Sequence, residues 1–362
     1  MKRKIFAETA LILLGLAALS LNPTVAAEAV GSPVSDEGSE NLFYSSDNPL
    51  RENFTIIVLP DTQGYSRYYP WILDNQTQWI VDNKEALNIV FVTQLGDLVD
   101  RTDNLTEWEN ANRSMSKLSG NMPWGVLPGN HDMLTGLTNY NKYFGCDKFS
   151  NESWYGGTYV AGDNANSYQL FSAGGDDYLI FHFQYDPSDD VLFWANNIII
   201  QYPERRVIVS THDYMAGWEK IGQRSDIGER IWQRFIKPNA DRIFLVLCGH
   251  AKSEDLITDT INGHVVYQLL ADYQNHTIVK NGWLRILQFS PEQNKIYVKT
   301  YSPLLNEYRN NSQSEFTLEY DLTSATMPKF PSNIALILFI MAALPIIIIT
   351  IKKQYMNNKT SS

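Results

Sequence analysis

Side chains able to bind a divalent ion recur in this sequence directly after short apolar runs. Asp61 and Gln63 follow Phe54–Leu59, Gly96, Asp97 and Asp100 follow Ile89–Leu95, and Gly129, Asn130, His131 and Asp132 follow Trp124–Leu127. His212 and Asp213 follow Val207–Thr211, and Gly249 and His250 follow Ile243–Cys248. If the apolar runs are strands, carboxylate, amide and imidazole groups gather at the carboxyl edge of a sheet, where open α/β sheets place their ligands. Such a mixed oxygen and nitrogen donor set suits a divalent transition metal such as Mn, Fe or Zn. Two ions about 3.5–4 Å apart can clamp the attacking and leaving oxygens of an in-line displacement. Gly96, Gly129 and Gly249 let the chain turn sharply and bring the next side chain close to an ion.

Taken singly, Asp97 after Gly96 and Asn130 after Gly129 are ordinary turn pairs. Their joint order changes that reading. Asp61-Thr62-Gln63, Gly96-Asp97-Leu98-Val99-Asp100, Gly129-Asn130-His131-Asp132, Thr211-His212 and Gly249-His250 together resemble the motifs of the calcineurin-like metallophosphoesterase family, in family order from about residue 55 to 255. For the fold, the resemblance implies an α/β architecture, a four-layer α-β-β-α sandwich with two mixed sheets. For the site, it implies that Asp97 bridges two ions, that Asp61 and Gln63 belong to the first, and that Asn130, His212 and His250 complete the second. It further implies that His131 protonates the leaving-group oxygen, oriented by Asp100.

Two positions depart from the family pattern. Gln63 stands where a histidine is usual, and Lys252 where a second histidine commonly follows His250. A glutamine can still offer a carbonyl oxygen, whereas an ammonium has three donors and no acceptor. We therefore expect one tightly held ion at Asp97, Asn130, His212 and His250, and a second, weaker one at Asp61 and Gln63 or its replacement by the Lys252 charge. The expected activity is hydrolysis of a phosphate mono- or diester. The rival is a cell-surface binding or adhesion module that keeps the fold with a degenerate metal site. Retention of both His131 and Asp100 favours the enzyme, because a purely structural ion needs no general acid.

The elements that must position these residues begin with β-α units. Strand-like Phe54–Leu59 precedes a helical pattern from Tyr69 to Glu85, Ile89–Leu95 precedes one around Leu105–Leu118, and a third strand covers Trp124–Leu127. Strands alternating with helices imply a largely parallel sheet covered on both faces. A Gly, Asn and Tyr-rich stretch from Thr135 to Ala165 reads as an insertion. Strands are then expected at Ser167–Phe171, Tyr178–Phe183, Val207–Thr211, Ile243–Cys248, Val265–Leu270, Leu284–Phe289, Ile296–Tyr301 and Phe316–Tyr320, with helices around Asp190–Ile200 and Ile227–Ile236. The second half reads as a second, more antiparallel sheet. His182, inside an apolar strand, is expected to be a satisfied core residue, and Asp213, Tyr214 and Asp272 are equally ordinary as loop or cleft residues.

Composition and ends bound the setting. The 362-residue chain carries a net charge of -11, which argues against nucleic acid as a partner, since that binding rests on Lys and Arg neutralising phosphates. Its two cysteines, Cys146 and Cys248, are expected to be free thiols. Lys2, Arg3 and Lys4, the apolar Ala10–Leu21 and the small residues Val25, Ala26 and Ala27 read as a signal peptide over residues 1–27. A flexible spacer over 28–52 follows, then the phosphoesterase domain over 53–322 and a linker over 323–333. The apolar run 334–351 is long enough to span a bilayer, and Lys352 and Lys353 place the tail 352–362 on the cytoplasmic side. The expectation is a single-pass membrane protein with its domain outside the cell. Sequons such as Asn53, Asn104 and Asn310 are compatible with that location.

Overall fold

The computed structural model describes residues 51–323 except 218–219 and 275–278. The expected signal peptide, most of the spacer and the C-terminal span lie outside the described residues. Among those described, no helix is long and apolar enough to cross a membrane.

The first strand, β1 (Phe54–Leu59), is buried on both faces and leads into helices α1 (Gln63–Tyr68) and α2 (Pro70–Asp82). Pro70 suits the first turn of α2, where its missing N–H has no partner to lose. Strand β2 (Ile89–Gln94) precedes α3 (Leu105–Met115), whose N-cap Asn104 accepts from the Thr106 amide, and β3 (Trp124–Gly125) completes the opening. The Thr135–Ala165 stretch contains α4 (Thr138–Phe144) and an outer strand β4 (Tyr155–Val160). Next come β5 (Asp163–Ala173), β6 (Asp176–Phe183), α5 (Asp189–Gln201), β7 (Arg206–Thr211), α6 (Asp226–Ile231) and β8 (Ile243–Cys248). Helix α6 continues as a π-helical turn over Trp232–Ile236. Six strands close the fold: β9 (Glu254–Ile261), β10 (His264–Ala271), β11 (Leu284–Ser290), β12 (Lys295–Ser302), β13 (Glu307–Arg309) and β14 (Phe316–Glu319).

These strands form two seven-stranded mixed sheets. The first runs β13-β12-β11-β1-β2-β3 with β14 beside β12, and the second runs β4-β5-β6-β7-β8-β10-β9. The expected second sheet forms, but the pairing corrects its membership and its more antiparallel character. Strands β11 to β14 return to the first sheet, β11 lying antiparallel to β1, while β6, β7, β8 and β10 are parallel neighbours in the second.

Three apolar clusters account for the layering. Residues of β1 and β2 such as Ile57, Leu59 and Val92 pack outward against Leu73, Ile80, Trp108 and Met115 of the helices beside the first sheet. Leu179, Phe181, Val207 and Val209 pack against Leu192, Ile199, Ile231 and Phe235 beside the second. Phe54, Ile56, Val58, Phe91, Ile180, Ile208, Phe244, Leu245 and Leu287 fill the space between the sheets. Alternate residues of one strand thus enter different clusters, which is why β1 and β2 read as continuous apolar runs rather than alternating ones.

A polar group inside this sandwich must find a partner. His182 does so: its Nε2 lies 2.9 Å from the Thr93 hydroxyl and its Nδ1 2.6 Å from Gln169 Oε1, and Thr93 also meets Ser210 at 2.8 Å. Burial holds the imidazole at a pKa of about 3, so it is neutral. It is the satisfied core histidine expected. Cys146 and Cys248 are both free.

Candidate metal centre

The parallel strands β1, β2 and β3 of one sheet and β7 and β8 of the other end at the same edge of the sandwich, and the loops after them converge there. Asp61 is 4% exposed, Asp97 1% and His212 fully buried. One ligand atom each from Asp97, His212 and His250 lies within 4.8 Å of the others.

Local backbone bonds explain how these loops hold their shape. Asp132 accepts from the amides of Leu98 and Val99, each at 3.0 Å, and of Gly129 at 2.9 Å, so one buried carboxylate ties the loop after β3 to the loop after β2. Burial, and then the charge of Asp97, push its pKa up to about 7. Gly129 is obligatory at this junction. A Cβ there would stand 2.1 Å from Asp97 Oδ1 and 2.4 Å from the Asp97 amide. A Cβ on Gly249 would likewise meet Asp61 Oδ1 at 2.1 Å.

His212 donates Nδ1–H to the Leu95 carbonyl at 2.8 Å, which turns Nε2 inward. There Nε2 lies 3.0 Å from Asn130 Oδ1, 3.2 Å from His250 Nδ1 and 3.4 Å from Asp97 Oδ1. Two ring nitrogens and two oxygens thus face one another, a mixed donor set that suits a divalent cation. In the chain alone, burial opposes charge on His212, but Asp97 and Asp61 outweigh it and raise its pKa to about 10. Burial, and next the neighbouring His212, lower His250.

Beside this group lies a second, oxygen-rich one. Asp61 accepts from the His250 amide at 3.1 Å and from Gln274 Nε2 at 3.0 Å. Gln274 Nε2 also reaches Asp272 Oδ2 at 2.9 Å, and Gln63 Nε2 reaches Asp97 Oδ2 at 2.9 Å and the Gln274 oxygen. The Gln63 carbonyl oxygen is buried without a hydrogen-bond partner. Burial, followed by the charge of Asp272, raises Asp61 well above the usual carboxylate range. Burial raises Asp272 to about 6 against the bonds from Gln274.

His131 differs from its neighbours. Its amide donates to Asp97 Oδ1 at 3.0 Å, but its ring, 35% exposed, lines a cleft of about 380 Å³ with Gln63, Arg67, Tyr69, Asp100, Lys252 and Gln274. Its Nδ1–H donates to the Asp100 main-chain carbonyl at 2.8 Å, while the Asp100 carboxylate stands 3.8 Å away and pairs with Arg67. Asp100 therefore orients the ring through its backbone more closely than through its charge.

Residues 54–253 match the family described as calcineurin-like phosphoesterase. The chain belongs to that family. It is 35% identical over 317 residues to the uncharacterized protein YvnB of Bacillus subtilis (strain 168), a match that takes in 83% of this chain and 24% of that protein. The chain thus spans about a quarter of the curated relative it matches. Among solved structures, GAP50, the anchor in the inner membrane complex of Plasmodium, is 15% identical with a TM-score of 0.48, covering 78% of this chain and 94% of that one. Purple acid phosphatase PPD1 from yellow lupin (Lupinus luteus) seeds is 13% identical with a TM-score of 0.47, covering 77% and 57%.

Phosphoesterases of this family are metal-dependent, and the residues present fit a divalent ion: mixed oxygen and nitrogen donors converge, and one buried amide oxygen among them is orphaned. Asp61, Gln63, Asp97, Asn130, His212, His250, His131 and Asp100, all singled out in the sequence, come together. Lys252 is exposed at the lip of the cleft, and the side chain that meets Asp61 is that of Gln274. Sequence reasoning missed Gln274 and Arg67. The available signal for the former was position: Asp272-Tyr273-Gln274 directly follows β10, another parallel strand ending at the same edge.

Proposed function

We propose that this domain hydrolyses a phosphate mono- or diester at a divalent metal centre held by Asp97, Asn130, His212 and His250, with Asp61 and Gln63 on its flank. The observation that carries this reading is the meeting of Asp97, His212 and His250 within 4.8 Å beside an imidazole that faces an open cleft. When bound, divalent ions in such a site polarise the phosphoryl group and stabilise the charge that develops on its oxygens. The remaining work falls to the chain's own groups. Asp97 aims its Oδ1 at both His212 and the His131 amide, so the loop carrying the acid is indexed to the metal-holding residues. His131, keeping Nδ1–H on the Asp100 carbonyl, presents Nε2 to the cleft and there gives a proton to the departing oxygen. It returns to the neutral form with its Nδ1 proton retained.

Hydrolysis of p-nitrophenyl phosphate and bis-p-nitrophenyl phosphate by the purified protein with Mn2+, Fe2+ or Zn2+ tests this directly. Turnover that vanishes on chelation and returns with metal supports it. Zero turnover on a screen of ester classes, with metal fully loaded, favours the binding-module reading instead.

The domain works at the outer face of a membrane, anchored by the apolar run 334–351. Support comes from Lys352 and Lys353 directly after that run and from the apolar segment behind Lys2, Arg3 and Lys4. Protease added to intact cells should remove the domain. Protection until the cells are lysed would rule out this location.

A further inference from the structure

The described chain enters and leaves the domain at one place, at the far end of the strands from the metal centre. Arg51 pairs with Asp176 at 3.3 Å and donates to the Leu322 carbonyl, while the Leu322 amide donates to Asn294 Oδ1 at 2.8 Å. Arg206 joins the same group, reaching Asp176 and the Asp321 carbonyl, each at 3.0 Å. Asp176 and Arg206 begin β6 and β7, and Asn294 lies in the turn between β11 and β12. The loops that carry Asp61, Asp97, His212 and His250 follow the opposite ends of β1, β2, β7 and β8. Strands of six residues are about 17–20 Å long, so at least that distance separates the chain's entry and exit from the mouth of the centre.

From this we infer that the centre opens away from the bilayer and acts on phosphate esters dissolved outside it, not on the phospholipids of its own membrane. The inference rests on the anchor reading above, with the apolar run starting at Ile334, and adds the substrate class. A compact domain of about 270 residues has a radius of gyration of about 18 Å, hence a diameter of about 48 Å. Only residues 323–333 separate the domain from the span. A connection of about eleven residues averages about 18 Å when flexible and reaches at most about 40 Å when fully extended. To set the mouth on the bilayer, the exit point must rise through the whole diameter, which is more than that connection spans. Processing of the signal peptide does not alter the result, because Arg51 brings the preceding segment to the same end as Leu322. The cleft beside His131 agrees with this class of substrate. None of the described residues lining it is aliphatic, and Arg67 and Lys252 bring cationic groups to it. It therefore seats a water-soluble anion and offers no apolar wall to an acyl chain.

The test uses the full chain reconstituted in phosphatidylcholine vesicles that carry an acceptor dye on a lipid headgroup. In a Cys146→Ser background, a donor dye is placed on Leu134→Cys or on Glu292→Cys; Cys248 is buried. Leu134 is 67% exposed in the loop after β3, two residues past Asp132, and Glu292 is exposed in the turn between β11 and β12. Energy transfer to the bilayer should be several-fold stronger from position 292 than from position 134. Equal transfer, or stronger transfer from 134, overturns the inference. Bis-p-nitrophenyl phosphate added outside should be hydrolysed while the vesicles keep their phosphocholine. Release of phosphocholine at a rate that dilution of the vesicles leaves unchanged is attack on the home membrane, and it too overturns the inference. A chain that fails to float with the vesicles sinks the anchor reading and this inference with it. The dye readout needs no turnover, so a correctly oriented but inactive protein counts against the phosphoesterase reading alone.

Discussion

His131 can be altered without touching a metal ligand side chain, which makes it the sharpest probe of the chemistry at the level of single residues. His131→Gln should lower kcat about 10²- to 10⁴-fold while leaving metal content unchanged. The loss should be largest for phenyl phosphate, whose poor leaving group needs the proton most, and smallest for p-nitrophenyl phosphate. A second expectation follows from protonation. Before an ion can bind, His212, with its pKa near 10, and Asp61, raised above the carboxylate range, must release the protons they hold. Metal affinity should therefore rise with pH and fall on acidification, with protons liberated on binding. Calorimetry in buffers of different ionisation enthalpy measures the number released, and a value of zero would contradict the assignment of His212 as a ligand. The ligands on motifs were legible in the sequence because each sits one to three residues beyond an apolar strand. Gln274 was not, because its position after an apolar run is a weaker signal than a motif, and the fold brings it to Asp61.

The loops at the edge of the sandwich depend on glycine for close approach rather than for flexibility. Gly129→Ala would drive a methyl group into Asp97, so the variant should lose metal even where circular dichroism shows the fold retained, and metal analysis checks this. Elements with a strong local pattern were legible: β1 and β8 are uniformly buried, β2 is buried but for half-buried Val90, and all three read as apolar runs. Others carried a misleading composition. Strand β9, with only three apolar residues in eight, lies at a sheet edge, paired with β10 alone. The start of β5 escaped because Asn164 and Asn166 are buried polar groups, satisfied by the Phe144 carbonyl and by Gln184. The helix α4 within the supposed insertion is built on Tyr140 and Phe144, aromatic residues that complete the cluster around Trp108.

Which sheet a strand joins is a non-local choice, and it was not legible for β11 to β14. Their return beside β1 places Arg285 against Glu254 of the other sheet at 2.6 Å, with Tyr273, Thr300 and Ser314 also donating to that carboxylate. Removing Arg285 leaves the buried Glu254 with only the more exposed Arg309 at 3.3 Å, so Arg285→Met should destabilise the domain by about 3 kcal/mol in denaturant titrations. Burial works against the Glu254 charge, but Arg285 and the hydrogen bonds outweigh it and hold the pKa below its ordinary 4.5. A folded value under the unfolded one means that this stabilisation is present above pH 4.5 and fades as pH falls through the folded value. Glu254→Gln should flatten that part of the stability profile. At the far end of the strands, Arg206 reaches Tyr320 and the Asp321 carbonyl, and Arg51 reaches Asp176, so the sheets are riveted there by protein alone. The opposite end is also joined by protein groups, Arg285 to Glu254, the His250 amide to Asp61 and His212 to the Leu95 carbonyl, but there the ion-binding side chains are divided as well, Asp61 and Asp97 from one sheet, His212 and His250 from the other. Any ion they share is a cross-brace between the halves of the molecule. Chelation should then let the sandwich breathe at that mouth only, with faster amide hydrogen exchange in the loops after β2, β7 and β8 and no change around Arg206.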